Sequence, residues 1–392
     1  MHFSLSVPIM SPFPWLALNL STVYLVLGIF SPFWGVWLES LGLTSEEIGL
    51  LLGLGYGMRV AGNLAILKNV KRAELLIPVT RILIWSGLLC FIGFYLSHQF
   101  WPVLFFTLLA NFIYPTLLPL TDSIAARMVM QVNLDYGKVR LWGSAAFIAG
   151  VSIIGVVIDH FGPSWIHHCI VLFLLLAGFC AHIPMSPAPR AIGQEREGHG
   201  YLQVLKSKPF LNFLIIEALI YGSHAAYNSF SAIYWKSQHI AAPTISALWT
   251  IGVVFEIGMF ALSRRLLSGW STDRLLLVAT IGCVIRWATL GSTTALWALF
   301  PAQALHAVTY VLAHLGAMRF LSERVPREAM ISGQTLYSAI GQSSSQALMI
   351  VVSGLFYRHI HENIFWMMVV LVLPAFYLIW RGQTRTTTQI AQ

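Results

Sequence analysis

Predominantly apolar stretches recur from one end of this sequence to the other, separated by short polar breaks. Each is long enough to cross about 30 Å of hydrocarbon at about 1.5 Å of rise per residue. A helix satisfies all its backbone donors and acceptors within one segment, so runs of this length in lipid read as helices. The pattern predicts an all-α polytopic membrane protein with twelve transmembrane helices. They fall near residues 13–38, 46–67, 75–96, 100–126, 140–158, 165–183, 210–235, 244–263, 273–291, 296–319, 332–356 and 362–380. Composition agrees, because 57% of the residues are hydrophobic and only 10% charged, where about 25% charged is usual for a soluble domain.

The long polar interruption at 184–209 holds Pro184, Pro187, Pro189, Gly193, Gly198 and Gly200 among charges. It reads as a flexible linker between two six-helix halves, 1–183 and 210–392. With the N-terminus inside, the inner segments hold Lys68, Arg72, Arg127, Lys138, Arg140, Lys206, Lys208, Arg264, Arg265, Arg274, Arg319 and Arg324 among others. The outer segments hold Lys236 and Arg358. That asymmetry places both termini and the linker in the cytoplasm. The net charge of +8 thus reports topology and gives no reason to expect a nucleic-acid partner. No cationic leader precedes the first apolar run, which reads as an uncleaved anchor. Cys90, Cys169, Cys180 and Cys283 lie in apolar runs without metal-type spacing, so neither a metal nor a cofactor is expected. Two six-helix halves joined by a cytoplasmic linker suit a secondary transporter with its substrate site near the midplane. No Walker-type phosphate loop appears, which leaves ion coupling or facilitated diffusion.

A charge at a helix centre costs on the order of 2.5–3.5 kcal/mol on insertion scales, so the charged residues within the spans are informative. They are Asp122, Glu217, Glu256 and Arg286, with Arg59 and Arg81 nearer span ends, and His224, His306 and His314 join them. Residues at helical offsets of 3, 4, 7 and 11 share a face. Glu217, Tyr221, His224 and Asn228 form such a stripe, as do Gln303, His306, Tyr310 and His314, and Gln334, Ser338, Gly341 and Ser345; Asn111 and Asp122 share a face in the fourth span. Polar stripes on apolar cylinders predict helices around an aqueous pathway. For the Ser, Asn and Gln positions, interhelical hydrogen bonding is an equal reading. Arg59 and Arg81 suit snorkelling or a structural ion pair. Trp15, Trp37, Trp101, Trp165 and Trp235, at span ends, read as interfacial anchors.

Asp135 to Ser144, DYGKVRLWGS, together with LTDSIA at 120–125, resembles the loop between spans four and five in the lactose-permease and nucleoside-symporter branch of the major facilitator superfamily. The resemblance places Asp122 at that branch's substrate-binding carboxylate and Arg140 at its partnering arginine. The second half is similar from DRLLL at 273–277 through ALHAVTYVLAHLGAMRF at 304–320. There Arg286 and His306 match the coupling arginine and histidine, and Glu256 the carboxylate linking substrate to proton. A proton-carrying glutamate is replaced by Thr309, and a lysine by Gln303. SPFWGVWL, LTSEEIGLLLG, HAAYNSFSAIYW and LGAMRF resemble the aromatic-acid permeases of the branch. The resemblance implies the major facilitator fold, a monomer in the bacterial inner membrane, and proton-driven uptake of an aromatic carboxylate such as 3-phenylpropionate.

Two arginines suit a carboxylate by bidentate geometry. The expected substrate-binding residues are Asp122, Arg140, Glu256, Arg286, Asn111 and His224. The expected proton-coupling residues are Glu256, Arg286, His306, His314 and Glu217, with Glu256 as carrier and His314 or Glu217 in its place because of Thr309. A sugar or nucleoside symporter, and a proton-independent facilitator or exporter, remain open readings. No HExxH or nucleophile–base pattern points to an enzyme.

Overall fold

The structure is a computed structural model described for residues 9–68, 70, 72–190, 201–326 and 329–390, without the side chains of 203 and 383–390. Gly193, Gly198 and Gly200 of the expected linker lie outside the described residues. The regular elements are helical, with a single isolated bridge between Met10 and Met185. In chain order the apolar helices are α1 (Pro12–Ser40), α2 (Ser45–Leu67), α3 (Ala73–Gly93), α4 (Phe100–Val132), α5 (Tyr136–Phe161), α6 (Trp165–Ala181), α7 (Lys208–Ser237), α8 (Ala242–Leu266), α9 (Thr272–Ser292), α10 (Leu296–Arg324), α11 (Met330–Ile360) and α12 (Asn363–Gly382).

Among the described residues, 11 of these are long and apolar enough to cross a membrane. The exception is α6, whose 17 residues reach about 26 Å. Several helices outrun the apolar stretches that announce them because polar caps extend them. Asp135 accepts from the Lys138 amide at 3.2 Å and starts α5, and Ser271 accepts from the Arg274 amide at 3.2 Å and starts α9. The Lys138 amide, followed by its side chain, holds the Asp135 carboxyl below the usual carboxylate range. Outward faces carry Leu89, Phe105, Leu172, Phe179, Leu348 and Val370, a surface matched to hydrocarbon.

The chain divides into two compact units, residues 1–43 with 58–194 and residues 44–57 with 195–392. In the first, α1 packs on α5 and α6, and α3 on α6 and α4. Phe30, Trp34, Trp37, Phe91 and Phe94 stack around His167, with Trp34 and Trp37 rings 4.3 Å apart. In the second, α9 packs on α10 and α12, α7 on α11, and α8 on α10. The start of α2 belongs to this unit: a Cβ on Gly49 would lie 2.6 Å from the Gly354 Cα. Three anchor assignments change. Trp15, Trp37 and Trp235 are at most 2% exposed; Trp15 donates to the Ile183 carbonyl at 2.8 Å, and all three rings are core. Trp101 and Trp165 do point outward.

Two spans carry π-helical turns, at Ala307–Val311 in α10 and Tyr337–Ser344 in α11. Such turns interrupt the 3.6-residue repeat and recur at functional sites. A break at Ser223–His224 divides α7, and Trp287 Nε1 donates to Ser223 Oγ across it at 3.0 Å.

Candidate functional site

The polar residues gather into one cluster in each unit. In the first unit the crossing of α1 and α5 sets the geometry. A Cβ on Gly28 would sit 2.2 Å from the Phe147 carbonyl oxygen, and one on Gly150 would sit 2.3 Å from that of Leu25. Only glycine allows backbones this close. The same crossing brings Tyr24 of α1 to α5, where a Cβ on Gly143 would meet its ring at 3.0 Å and the Arg140 guanidinium lies over it at 4.7 Å. Tyr136 stands one turn before Arg140, on the same face. Its hydroxyl donates to Asp122 Oδ1 at 2.5 Å. Asp122 is half-buried and Arg140 exposed, so a carboxylate, a phenol and a guanidinium are all within reach of solute.

Asn111 behaves differently. It is 6% exposed, donates to the Thr107 carbonyl at 2.9 Å and accepts from Arg59 Nε at 3.4 Å. The expected common face of Asn111 and Asp122 assumes an unbroken α-helix. A 3₁₀ turn at Tyr114–Thr116 intervenes and rotates the rest of the helix by about 60°. Arg59 and Arg81 serve packing: Arg81 Nε donates to the Ala181 carbonyl at the end of α6 at 2.8 Å.

In the second unit Arg286 is the centre. Its side chain is fully buried between the faces of Tyr227 and Trp287, 4.4 and 4.7 Å away. Nη2 donates to Gln303 Oε1 at 2.9 Å, and Nη1 donates to His306 Nδ1 at 3.0 Å and to Thr309 Oγ1 at 3.3 Å. A guanidinium only donates, so His306 Nδ1 is an acceptor and its proton sits on Nε2. That nitrogen donates to Glu256 Oε2 at 3.2 Å. His224 Nδ1 lies 2.9 Å from the Ile220 carbonyl and must donate to it, so its Nε2 accepts from Thr309 at 3.1 Å. Donors and acceptors thereby run in one direction, from Arg286 through His306 to Glu256 and through Thr309 to His224.

The hydrogen-bond acceptors of Arg286 are all neutral, and its Nε has no acceptor among the described residues. A full cation is therefore held in a dry place without a direct counter-anion, an arrangement that favours an arriving anion. Glu256 and His306 remain partly accessible, at 27% and 18% of side-chain surface, so they form the cluster's open end.

Of the remaining expected residues, His224 is 2% exposed with both ring nitrogens engaged; it stands behind Arg286. His314 lies 3.4 Å from the Tyr337 hydroxyl, which donates to Tyr221 at 3.2 Å and accepts from Gln342 at 3.0 Å. Glu217 lies beneath this group, fully buried. The stripe containing Glu217, His224 and Asn228 faces protein: Asn228 donates to Gln346 at 2.9 Å. Four contributors escape a sequence reading. Tyr136 is signalled by its offset of four from Arg140. Thr309 registers in sequence only as a missing carboxylate, whereas its hydroxyl joins two branches of the network. Tyr227 and Trp287 carry no signal, being aromatic residues among many.

A family profile described as MFS_1 like family matches residues 15–368. The chain is 39% identical over 367 residues to a protein of Escherichia coli (strain K12) described as a probable 3-phenylpropionic acid transporter, covering 93% of this chain and 96% of that one. It is 27% identical over 261 residues to a maltose permease of Geobacillus stearothermophilus, covering 66% and 65% of the two chains. Among solved structures, the nucleoside transporter NupG superposes with a TM-score of 0.81 at 14% identity, covering 96% of this chain and 99% of that one. The last likeness is one of fold.

Proposed function

This chain belongs to the MFS_1 like family, and from that premise we propose that it is a proton-coupled symporter importing an aromatic carboxylate such as 3-phenylpropionate by alternating access. As a relative of transporters it is itself a multi-pass membrane transporter of a small molecule; the substrate, the proton and the direction are the proposal. So are twelve spans in two six-helix halves, with α6 crossing as the shortest, termini in the cytoplasm, a linker at 184–209, and a monomer in the inner membrane.

The observation that carries the reading is the uncompensated Arg286. Its donors go to Gln303, His306 and Thr309, none of them anionic. A substrate carboxylate supplies the missing charge, and the aromatic walls of Tyr227 and Trp287 suit a phenyl group beside it. In the first unit we propose Asp122 and Arg140 as residues that meet substrate, with Asn111 holding Arg59 in place. Glu256, reached from Arg286 through His306, exchanges the proton: protonating it weakens its hold on His306 Nε2–H, which frees the imidazole to shift against Arg286. His224 positions Arg286 through Thr309.

One observation favours a second reading. Thr309 stands where the branch resembled in sequence has a proton-carrying glutamate, which suits a proton-independent facilitator or exporter. Binding of labelled 3-phenylpropionate to purified protein, competed by its neutral amide, lactose and a nucleoside, tests the substrate class. Competition by unlabelled acid and cinnamate but not by the amide is expected. Equal competition by acid and amide, or by lactose alone, contradicts a site built around an uncompensated cation.

A further inference from the structure

Glu217 is the one carboxylate that is fully buried among the described residues, and neither of its oxygens has a hydrogen-bond partner there. By contrast Asp122 is half-buried, Glu256 partly exposed and Asp135 exposed. Enclosing an ionised carboxylate with no donor and no cation is far more costly than enclosing the neutral acid. Gly341 of the π turn faces it, where an added Cβ would lie 3.4 Å from the Glu217 Cβ. The ionisable groups nearest it are Tyr221 on its own helix and Tyr337 from the π turn of α11, with Tyr310 against Tyr221 and His314 against Tyr337. No cation is among them unless His314 takes a proton.

We infer that Glu217 is the enclosed station at which the transported proton rides, loaded from Glu256 through His314 and Tyr337. The inference rests on the proton coupling proposed above and adds where the proton is held. Tyr337 lies 3.4 Å from His314 Nδ1 and 3.2 Å from the hydroxyl of Tyr221, which stands one helical turn from Glu217. The Tyr310 ring stacks on His306 with centroids 5.2 Å apart and meets Tyr221 edge-on at 5.6 Å, so the two groups share a wall. In the step itself an O–H bond breaks at Glu256 and one forms at Glu217. His314 and Tyr337 each accept one proton and release one, and the net change is one proton moved from the open end to the closed end. A rotation of the Glu217 side chain toward Tyr337 completes the chain, and the π turn at 337–344 is the element that can move to allow it. Glu217 also answers the replacement of the expected carboxylate by Thr309, because it restores a proton-bearing acid to the same unit from a different helix.

Infrared difference spectroscopy with the purified protein in lipid, joined to transport in proteoliposomes, tests this. The expected result is a carboxylic-acid carbonyl band at neutral pH that persists in Glu256→Gln and disappears in Glu217→Gln. In the same Glu217→Gln protein, gradient-driven accumulation falls to equal internal and external substrate while substrate exchange continues, and Glu217→Asp recovers part of the accumulation. A band unchanged by Glu217→Gln, or full accumulation by that variant, overturns the inference. Loss of the band in Glu217→Gln with no uptake of any aromatic acid by the native protein would keep Glu217 as a buried acid and remove both the transport reading and the carrier role. If Glu217→Gln fails to fold while Glu217→Asp folds, a band displaced in the Asp variant assigns the acid, and an undisturbed band rejects it.

Discussion

Arg286 makes three hydrogen bonds to neutral acceptors, and this arrangement separates it from an ordinary buried ion pair. A lysine keeps the charge but not the planar fork that reaches Gln303, His306 and Thr309 together. Arg286→Lys is therefore expected to weaken binding of the carboxylate by about 10- to 100-fold, the worth of one charge-assisted bond. Arg286→Ala is expected to abolish transport with normal insertion, read from uptake beside membrane yield. Thr309 is the sharper structural test, because its hydroxyl accepts from Arg286 and donates to His224. Thr309→Val should lower stability by about 1–3 kcal/mol, by leaving a buried imidazole nitrogen without its donor, and thermal unfolding in lipid–detergent micelles measures it. An unchanged melting temperature would show that His224 has another partner.

The placement of these side chains depends on how helices cross and where they cease to be regular. Gly28 and Gly150 let α1 and α5 approach until a Cβ would strike carbonyl oxygen, and that approach is what sets Tyr24 beneath Arg140. Gly150→Leu should force the pair apart at a cost on the order of 1–3 kcal/mol, seen as a lower unfolding midpoint and faster proteolysis. Much of this scale was legible in the sequence: apolar run length marked the helices, and the resemblance singled out Arg286 and His306, which meet at 3.0 Å. One cause of what was not legible is departure from the ideal helix. The 3₁₀ turn at 114–116 takes Asn111 out of phase with Asp122, and the π turn at 307–311 re-aims the residues after His306. Both are set by packing, which a fixed 3.6-residue period does not see. Trp15, Trp37 and Trp235 likewise looked like interface anchors because position along the chain hides depth within a bundle; their burial comes from neighbours distant in sequence.

At the scale of the molecule, the polar cluster of each unit holds one accessible acid, Asp122 or Glu256, and an arginine, Arg140 or Arg286. The pairs differ in chemistry. Arg140 is exposed over an aromatic ring while Arg286 is sealed. The distribution of Lys and Arg sets orientation. An impermeant maleimide applied to intact cells is expected to label Ser237→Cys, at the exposed end of α7, and to spare Ser268→Cys, in the exposed turn after α8; the reverse pattern would invert the topology and the direction of import with it. Every functional role assigned to these residues depends on a proton gradient driving an aromatic acid through this protein. The direct measurement is uptake of labelled 3-phenylpropionate into proteoliposomes under an imposed inward proton gradient, with and without a protonophore. Accumulation above the external concentration that the protonophore abolishes is the predicted result; uptake that only equilibrates, unchanged by the gradient, would contradict symport and establish a facilitator.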